Sequence, residues 1–176
     1  MKKITILVSS VRKVRAADNI LELVKKDFAN MKEVETQIID LKDLELPFFD
    51  SAKQPANEEF EIPYDSVRIW SDAVGGSDGV LMLTPEYNHS IIAAQKNAID
   101  WLYKEWQGKP VGIISYNWGA EDAIDHLTLV LEKTGAKVIE PITKLKFTKD
   151  INLDGSAIDE SAVEAKISET VSALVK

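Results

Sequence analysis

The chain has 176 residues, 45% of them hydrophobic and 28% charged, which suits one globular domain spanning residues 1–176 and is too short for two ordinary ones. A formal net charge of −8 argues against a general nucleic-acid or anionic-membrane binder, because phosphate attraction needs a basic surface. Cysteine is absent, which excludes disulfides, thiolate metal sites and cysteine nucleophiles and suits a reducing, cytoplasmic compartment.

The first apolar run, Ile4 to Val8, is cut off by Ser9, Ser10, Arg12 and Lys13, too soon for a signal peptide or a membrane span. It reads as a strand buried on both faces. After the loop Ser9 to Ala17, Asp18 is expected to cap a helix with Ile20, Leu21, Leu23, Val24 and Phe28 as its apolar stripe. Glu35 to Leu41 reads as a second strand, nearer an edge. From Lys42 to Asp65 periodicity fades, with Pro47, Pro55 and Pro63 as punctuation, and Leu46 to Phe49 is apolar enough to pack back or to meet a partner.

Val67, Trp70 and Val74 mark a helix over Ser66 to Val74, with Gly75-Gly76 expected as its C-terminal cap. Gly79 to Thr84 is a greasy third strand that breaks at Pro85 into the polar loop Thr84 to Ser90. Ile91, Ala94, Ala98, Trp101 and Leu102 then share a helical face. Gly108-Lys109-Pro110 breaks that helix before a fourth strand, Val111 to Ser115, and its loop Tyr116 to Ala120. A helix follows with Ala123, Leu127, Val130 and Leu131 inward, capped by Gly135. Lys137 to Ile142 is expected as a fifth strand. A polar segment to Ser156 precedes a last helix carrying Val163, Ile167, Val171 and Leu174.

Alternating strands and helices imply an α/β fold: a parallel five-stranded sheet, order 2-1-3-4-5, between two helical layers. Ligands in such sheets bind beyond the carboxyl ends of the strands, where strands 1 and 3 adjoin. The loops after strands 1, 3 and 4 converge there. The first offers hydroxyls at Ser9 and Ser10, guanidinium groups at Arg12 and Arg15, and a helix N-terminus, which together make a phosphate site. No glycine precedes Gly75, so neither the Walker pattern nor G-x-G-x-x-G is present, and side chains must do more of the holding. A solvated turn is the competing reading of that loop. In the second loop, Pro85 and its polar backbone can meet the edge of a heterocycle while Tyr87 covers a face; Glu86 is unlike a catalytic base in isolation. The third loop adds Asn117, Trp118 and Gly119. Neither His89 nor His126 sits in a metal-ligand pattern, and no nucleophile elbow is present. A ligand crevice without an evident acid, base or nucleophile suits a cofactor that carries its own reactivity.

Thr84-Pro85-Glu86-Tyr87-Asn88-His89-Ser90-Ile91, followed by Lys96-Asn97-Ala98-Ile99-Asp100-Trp101-Leu102, resembles the signature of the NAD(P)H-dependent FMN reductase family, which has a flavodoxin-like fold. Ser10-x-Arg12 and Arg15 resemble its phosphate loop. The resemblance implies that Ser10, Arg12 and Arg15 hold the FMN phosphate. Pro85, Glu86, Tyr87 and Asn88 would meet the flavin ring, and Ser115, Tyr116, Asn117 and Trp118 would close its other side. It also implies a homodimer or homotetramer that takes hydride from NADPH or NADH and passes electrons to a small-molecule acceptor such as a quinone, an azo compound or free flavin. A flavodoxin-type electron carrier, or a flavin-free assembly member of the same fold, is the alternative. Ser9, Val14, Ile92, Ala93 and Ala120 depart from residues usual in the family, mostly glycines, where a β-carbon disfavours positive φ.

Overall fold

The computed structural model describes residues 1–119 and 121–176; Ala120 lies outside them. In chain order the elements are β1 (Lys2–Val8), α1 (Ala17–Ala29), β2 (Val34–Asp40), α2 (Leu41–Leu44), α3 (Asp65–Gly75), β3 (Gly79–Pro85), α4 (Ala93–Asp100), β4 (Pro110–Asn117), α5 (Asp122–Lys133), β5 (Lys137–Val138), β6 (Thr143–Lys146) and α6 (Glu160–Leu174). The sheet is parallel and runs β2-β1-β3-β4-β5, with β6 also paired to β4.

Side-chain alternation along the strands divides the core in two. Ile4, Ile6, Leu81, Leu83 and Ile114 face α1 and α6, whereas Leu7, Val80, Met82, Val111 and Ile113 face α3, α4 and α5. The long connection between α2 and α3 lies on the second face, with Leu46, Phe49, Phe60 and Ile62 partly buried there. It is held by the Lys96–Leu102 segment. Asn97 Nδ2 and Trp101 Nε1 both donate to the Pro47 carbonyl at 2.8 Å, and the Phe49 amide donates to Asn97 Oδ1 at 2.9 Å. Phe48 points away and is exposed. Two further tryptophans close the last turn of α4, where carbonyls lack helical partners: Trp70 donates to Ala98 and Trp106 to Ile99.

Several expectations shift. The fifth strand does not run from Lys137 to Ile142. β5 stops at Val138 and pairing resumes only at Thr143, because Pro141 has no amide hydrogen for the ladder. Asp18 does not cap α1. Ala16 holds that position, and the Asp18 carboxylate instead accepts a hydrogen bond from Arg15 Nε. Gly76 does cap α3 as expected, though in right-handed geometry at φ −82° rather than left-handed. Gly135 supplies a left-handed cap to α5: it has φ +91° and the Ala136 amide reaches back to the Leu131 carbonyl. The helix α2 escaped the sequence reading; Asp40 caps it by accepting from the Lys42 amide. Pro85 ends β3 rather than breaking it, and Tyr116 and Asn117 belong to β4, where Tyr116 pairs with both Pro85 and Leu145.

Candidate active site

A cleft of about 490 Å3 opens at the carboxyl ends of β1, β3 and β4, within the size range of small-molecule sites. Ser10, Arg12 and Arg15 from the first loop line it, together with Pro85, Glu86 and Tyr87 from the second and Tyr116, Asn117 and Trp118 from the third. Asn88 and Ser115 do not reach it. Asn88 is exposed at the tip of a turn, and Ser115 is fully buried within β4.

The first loop contains two kinds of cation. Arg15 is almost wholly engaged: its two terminal nitrogens pair with the Asp40 carboxylate, one of them also donates to the Ser10 carbonyl, and Nε pairs with Asp18 at 2.9 Å. The bidentate contact with Asp40 raises the guanidinium pKa further above its ordinary value. Arg15 therefore braces the loop against the end of β2. Arg12 and Lys13 are exposed and make no ion pair among the described residues. Ser10 is buried, and its hydroxyl shares a 3.2 Å hydrogen bond with the Tyr87 hydroxyl.

The second loop is a tight reversal. Tyr87 and Ser90 exchange backbone hydrogen bonds at 3.0 and 3.1 Å, while Asn88 and His89 both have positive φ, as a two-residue primed turn requires. Asparagine tolerates that geometry; the histidine is held by contacts with α5. His89 Nδ1 lies 2.7 Å from Asp122 Oδ2, Ser90 shares a 3.0 Å hydrogen bond with His126, and Glu86 accepts from the Ala123 amide. Glu86, His89 and Asp122 thus cluster with ligand-type atoms within 4.8 Å of one another, although two of them are exposed.

The hydrogen bond that the His89 ring donates to Asp122, then the charge of that carboxylate, raises the pKa of His89. The protonated ring is thus favoured in the folded state. Its contribution to stability is complete below the ordinary histidine pKa of about 6.5 and is lost as pH rises through the raised folded value. The His89 midpoint, followed by proton NMR, should lie above the ordinary value and fall in Asp122→Asn. A midpoint insensitive to that substitution would exclude the pair as its cause.

A fourth segment, not anticipated from the sequence, completes the cleft. Phe147, Leu153 and Asp154 line it from beyond β6. Phe147 meets Tyr116 edge-on, with ring centroids 6.4 Å apart, and Trp118 at 5.4 Å. Trp118 itself is 71% exposed. The segment is moored to the first loop: Asn19 donates to the Asp154 carbonyl, and Gly155, at φ +86°, lies flat on the Ala16 backbone. The sequence marks this stretch only as a polar segment, and nothing in the Asp154-Gly155 dipeptide indicates where it docks.

Residues 2–145 match the family model described as NADPH-dependent FMN reductase. The chain belongs to that family. The reductase is similar to the NAD(P)H-dependent FMN reductase LOT6 of Saccharomyces cerevisiae, with 35% identity over 78% of this chain and 77% of that protein. It is also similar to NAD(P)H-dependent FMN reductase C4B3.06c of Schizosaccharomyces pombe, 29% identical over 92% and 80%. Among solved structures, the flavoenzyme NAD(P)H:(acceptor) oxidoreductase FerB of Paracoccus denitrificans shares the fold with a TM-score of 0.76, at 24% identity over 99% of this chain and 98% of that one. As an oxidoreductase of this family the chain uses FMN as cofactor and NAD(P)H as reductant. Among the described residues, its departures from the family's usual residues carry no left-handed backbone: Ser9, Val14 and Ala93, which stand for glycines, and Ile92, which stands for a proline, all avoid positive φ, while Ala120 lies outside the described residues.

Proposed function

We propose that the reductase binds FMN in the cleft and takes hydride from NADPH or NADH, passing electrons to a small acceptor such as a quinone, an azo compound or free flavin. The observation that carries this is the pairing, in one cleft, of uncommitted cations at Arg12 and Lys13 with an aromatic wall of Tyr87, Tyr116 and Trp118. The curated relatives include a quinone reductase of Pseudomonas putida and an NADPH azoreductase of Bacillus, in line with that class of acceptor.

The residues fit such a group. Ser10, Arg12 and Lys13 offer a hydroxyl and two cationic side chains to a phosphate, with Arg15 holding Ser10 in place through its carbonyl. Pro85, Glu86 and Tyr87 form a stiff rim beside the ring, fastened to α5. The Tyr116 ring, Asn117 and Trp118 supply the opposite rim, whereas Asn88 and Ser115, expected there, stand away from the cleft. Bound in the cleft, FMN would supply the hydride-accepting and electron-returning chemistry, and these residues would position it. We further assign the reductase to the cytoplasm as a homodimer or homotetramer. The absence of cysteine and the exposed Phe48, Tyr64 and Tyr103 support this, and no helix among the described residues is long and apolar enough to cross a membrane.

Purified protein should absorb as a flavoprotein, natively or after FMN is added, and NADPH should bleach it under anaerobic conditions. Colourless protein that takes up no FMN would refute this reading. Arg12→Ala should weaken FMN binding by about 1.5–3 kcal/mol, as for loss of a charge-assisted hydrogen bond. Its thermal midpoint should not change, because Arg12 is exposed and makes no ion pair among the described residues. Equal FMN affinity in the variant and the parent would return this loop to a solvated turn.

A further inference from the structure

Tyr116 has the only side-chain polar atom lining the cleft that is both buried and without a hydrogen-bond partner among the described residues. The residue is 3% exposed, held between Pro85 on β3 and Leu145 on β6, with its ring against Phe147. Burial raises the phenol pKa, so the hydroxyl keeps its proton throughout the neutral range and remains a donor. Its surroundings belong to the first loop. The Ser10 hydroxyl and the charges of Arg15 and Asp18 all act on it, as does the Tyr87 hydroxyl.

None of those neighbours stands in hydrogen-bonding geometry to it. The Ser10 hydroxyl is already shared with Tyr87, and the Ser10 carbonyl accepts from Arg15. Arg15 is committed to Asp40 and Asp18, so it has little left for a ligand. The loop also has no glycine to bring successive backbone amides onto an anion. Three hydroxyls, from Ser10, Tyr87 and Tyr116, therefore converge where an anion-binding loop would otherwise present its backbone. An unpartnered buried hydroxyl contributes nothing to packing that phenylalanine would not, and it carries a desolvation cost until a ligand meets it.

We propose that the Tyr116 hydroxyl is a donor reserved for the phosphate-bearing end of the flavin nucleotide rather than for its ring. This rests on the reading that the cleft binds FMN. The hydroxyl, unlike the aromatic wall, distinguishes a phosphorylated flavin from its nucleoside.

Flavin-free protein and its Tyr116→Phe variant, titrated with FMN and with riboflavin by flavin fluorescence and melted without ligand, test the proposal. A hydrogen bond to a charged group implies about 10- to 150-fold weaker FMN binding in the variant. Riboflavin binding should be unchanged, and the ligand-free thermal midpoint should be equal or higher. A variant that loses stability while keeping its FMN affinity would make the hydroxyl structural and overturn the proposal. Equal losses for FMN and riboflavin would overturn it in favour of a ring or ribityl contact. Parent protein that binds neither flavin would overturn the FMN reading itself, and this inference with it.

Discussion

Gly155→Ala should destabilise the reductase by about 2–4 kcal/mol, the sum of left-handed strain at a non-glycine residue and a backbone clash. An added β-carbon would stand 2.1 Å from the Ala16 carbonyl oxygen and 2.7 Å from its carbon, with φ at +86°. Neither atom belongs to a flexible side chain, so the segment carrying Leu153 and Asp154 must retreat from the start of α1. Tm should fall by about 5–15 °C for a chain of this size. Gly108→Ala is the control, because Gly108 also has positive φ, at +70°, but an added β-carbon meets nothing within 4 Å. It should cost about 1 kcal/mol. If both variants melt alike, the contact with Ala16 contributes nothing.

Asn97→Ala should cost about 2–4 kcal/mol through loss of two hydrogen bonds and exposure of an unmet donor. Asn97 is 9% exposed, and its amide both accepts from Phe49 and donates to Pro47. Alanine leaves the Phe49 amide unpaired, while the Pro47 carbonyl keeps Trp101. Trp101→Phe removes the second donor to Pro47 and part of a buried ring packed on Phe49 and Tyr64, but it leaves no amide unpaired and should be milder, about 1–2 kcal/mol. Chemical denaturation would measure both, and hydrogen exchange should show the Asn97→Ala loss concentrated in residues 46–49. The reverse ranking would mean that ring packing, rather than the amide, retains the connection.

The central strands were legible because their apolar runs are long and unmixed; Ile4 to Val8 and Gly79 to Thr84 admit little else. The converging loops followed from strand order alone, and most of the residues expected there do line the cleft. What escaped was decided by competition between partners. Asp18 was expected to cap α1, but the helix begins one residue before it, so Asp18 lies inside the first turn and its carboxylate pairs with Arg15. Pro141 lay inside the expected fifth strand, and its missing amide weighed more than the alternation around it. Phe147 and Leu153 belong to a polar stretch without period, so nothing local could assign them to a cleft built from the loops after β1, β3 and β4. The Lys96–Leu102 motif pointed to the family without revealing its mechanical task, because its partner is an irregular connection some 50 residues earlier.

The four tryptophans fall into two optical populations. Trp70, Trp101 and Trp106 are fully buried, whereas Trp118 stands in solvent on the rim of the cleft. Emission from the first three should be short-wavelength and shielded from small quenchers, and that from Trp118 red-shifted and open to them. A colourless solute entering the cleft should therefore dim the red component first. A bound flavin, whose absorption overlaps tryptophan emission, should dim both, so the pattern of quenching tells the two kinds of occupant apart without a label.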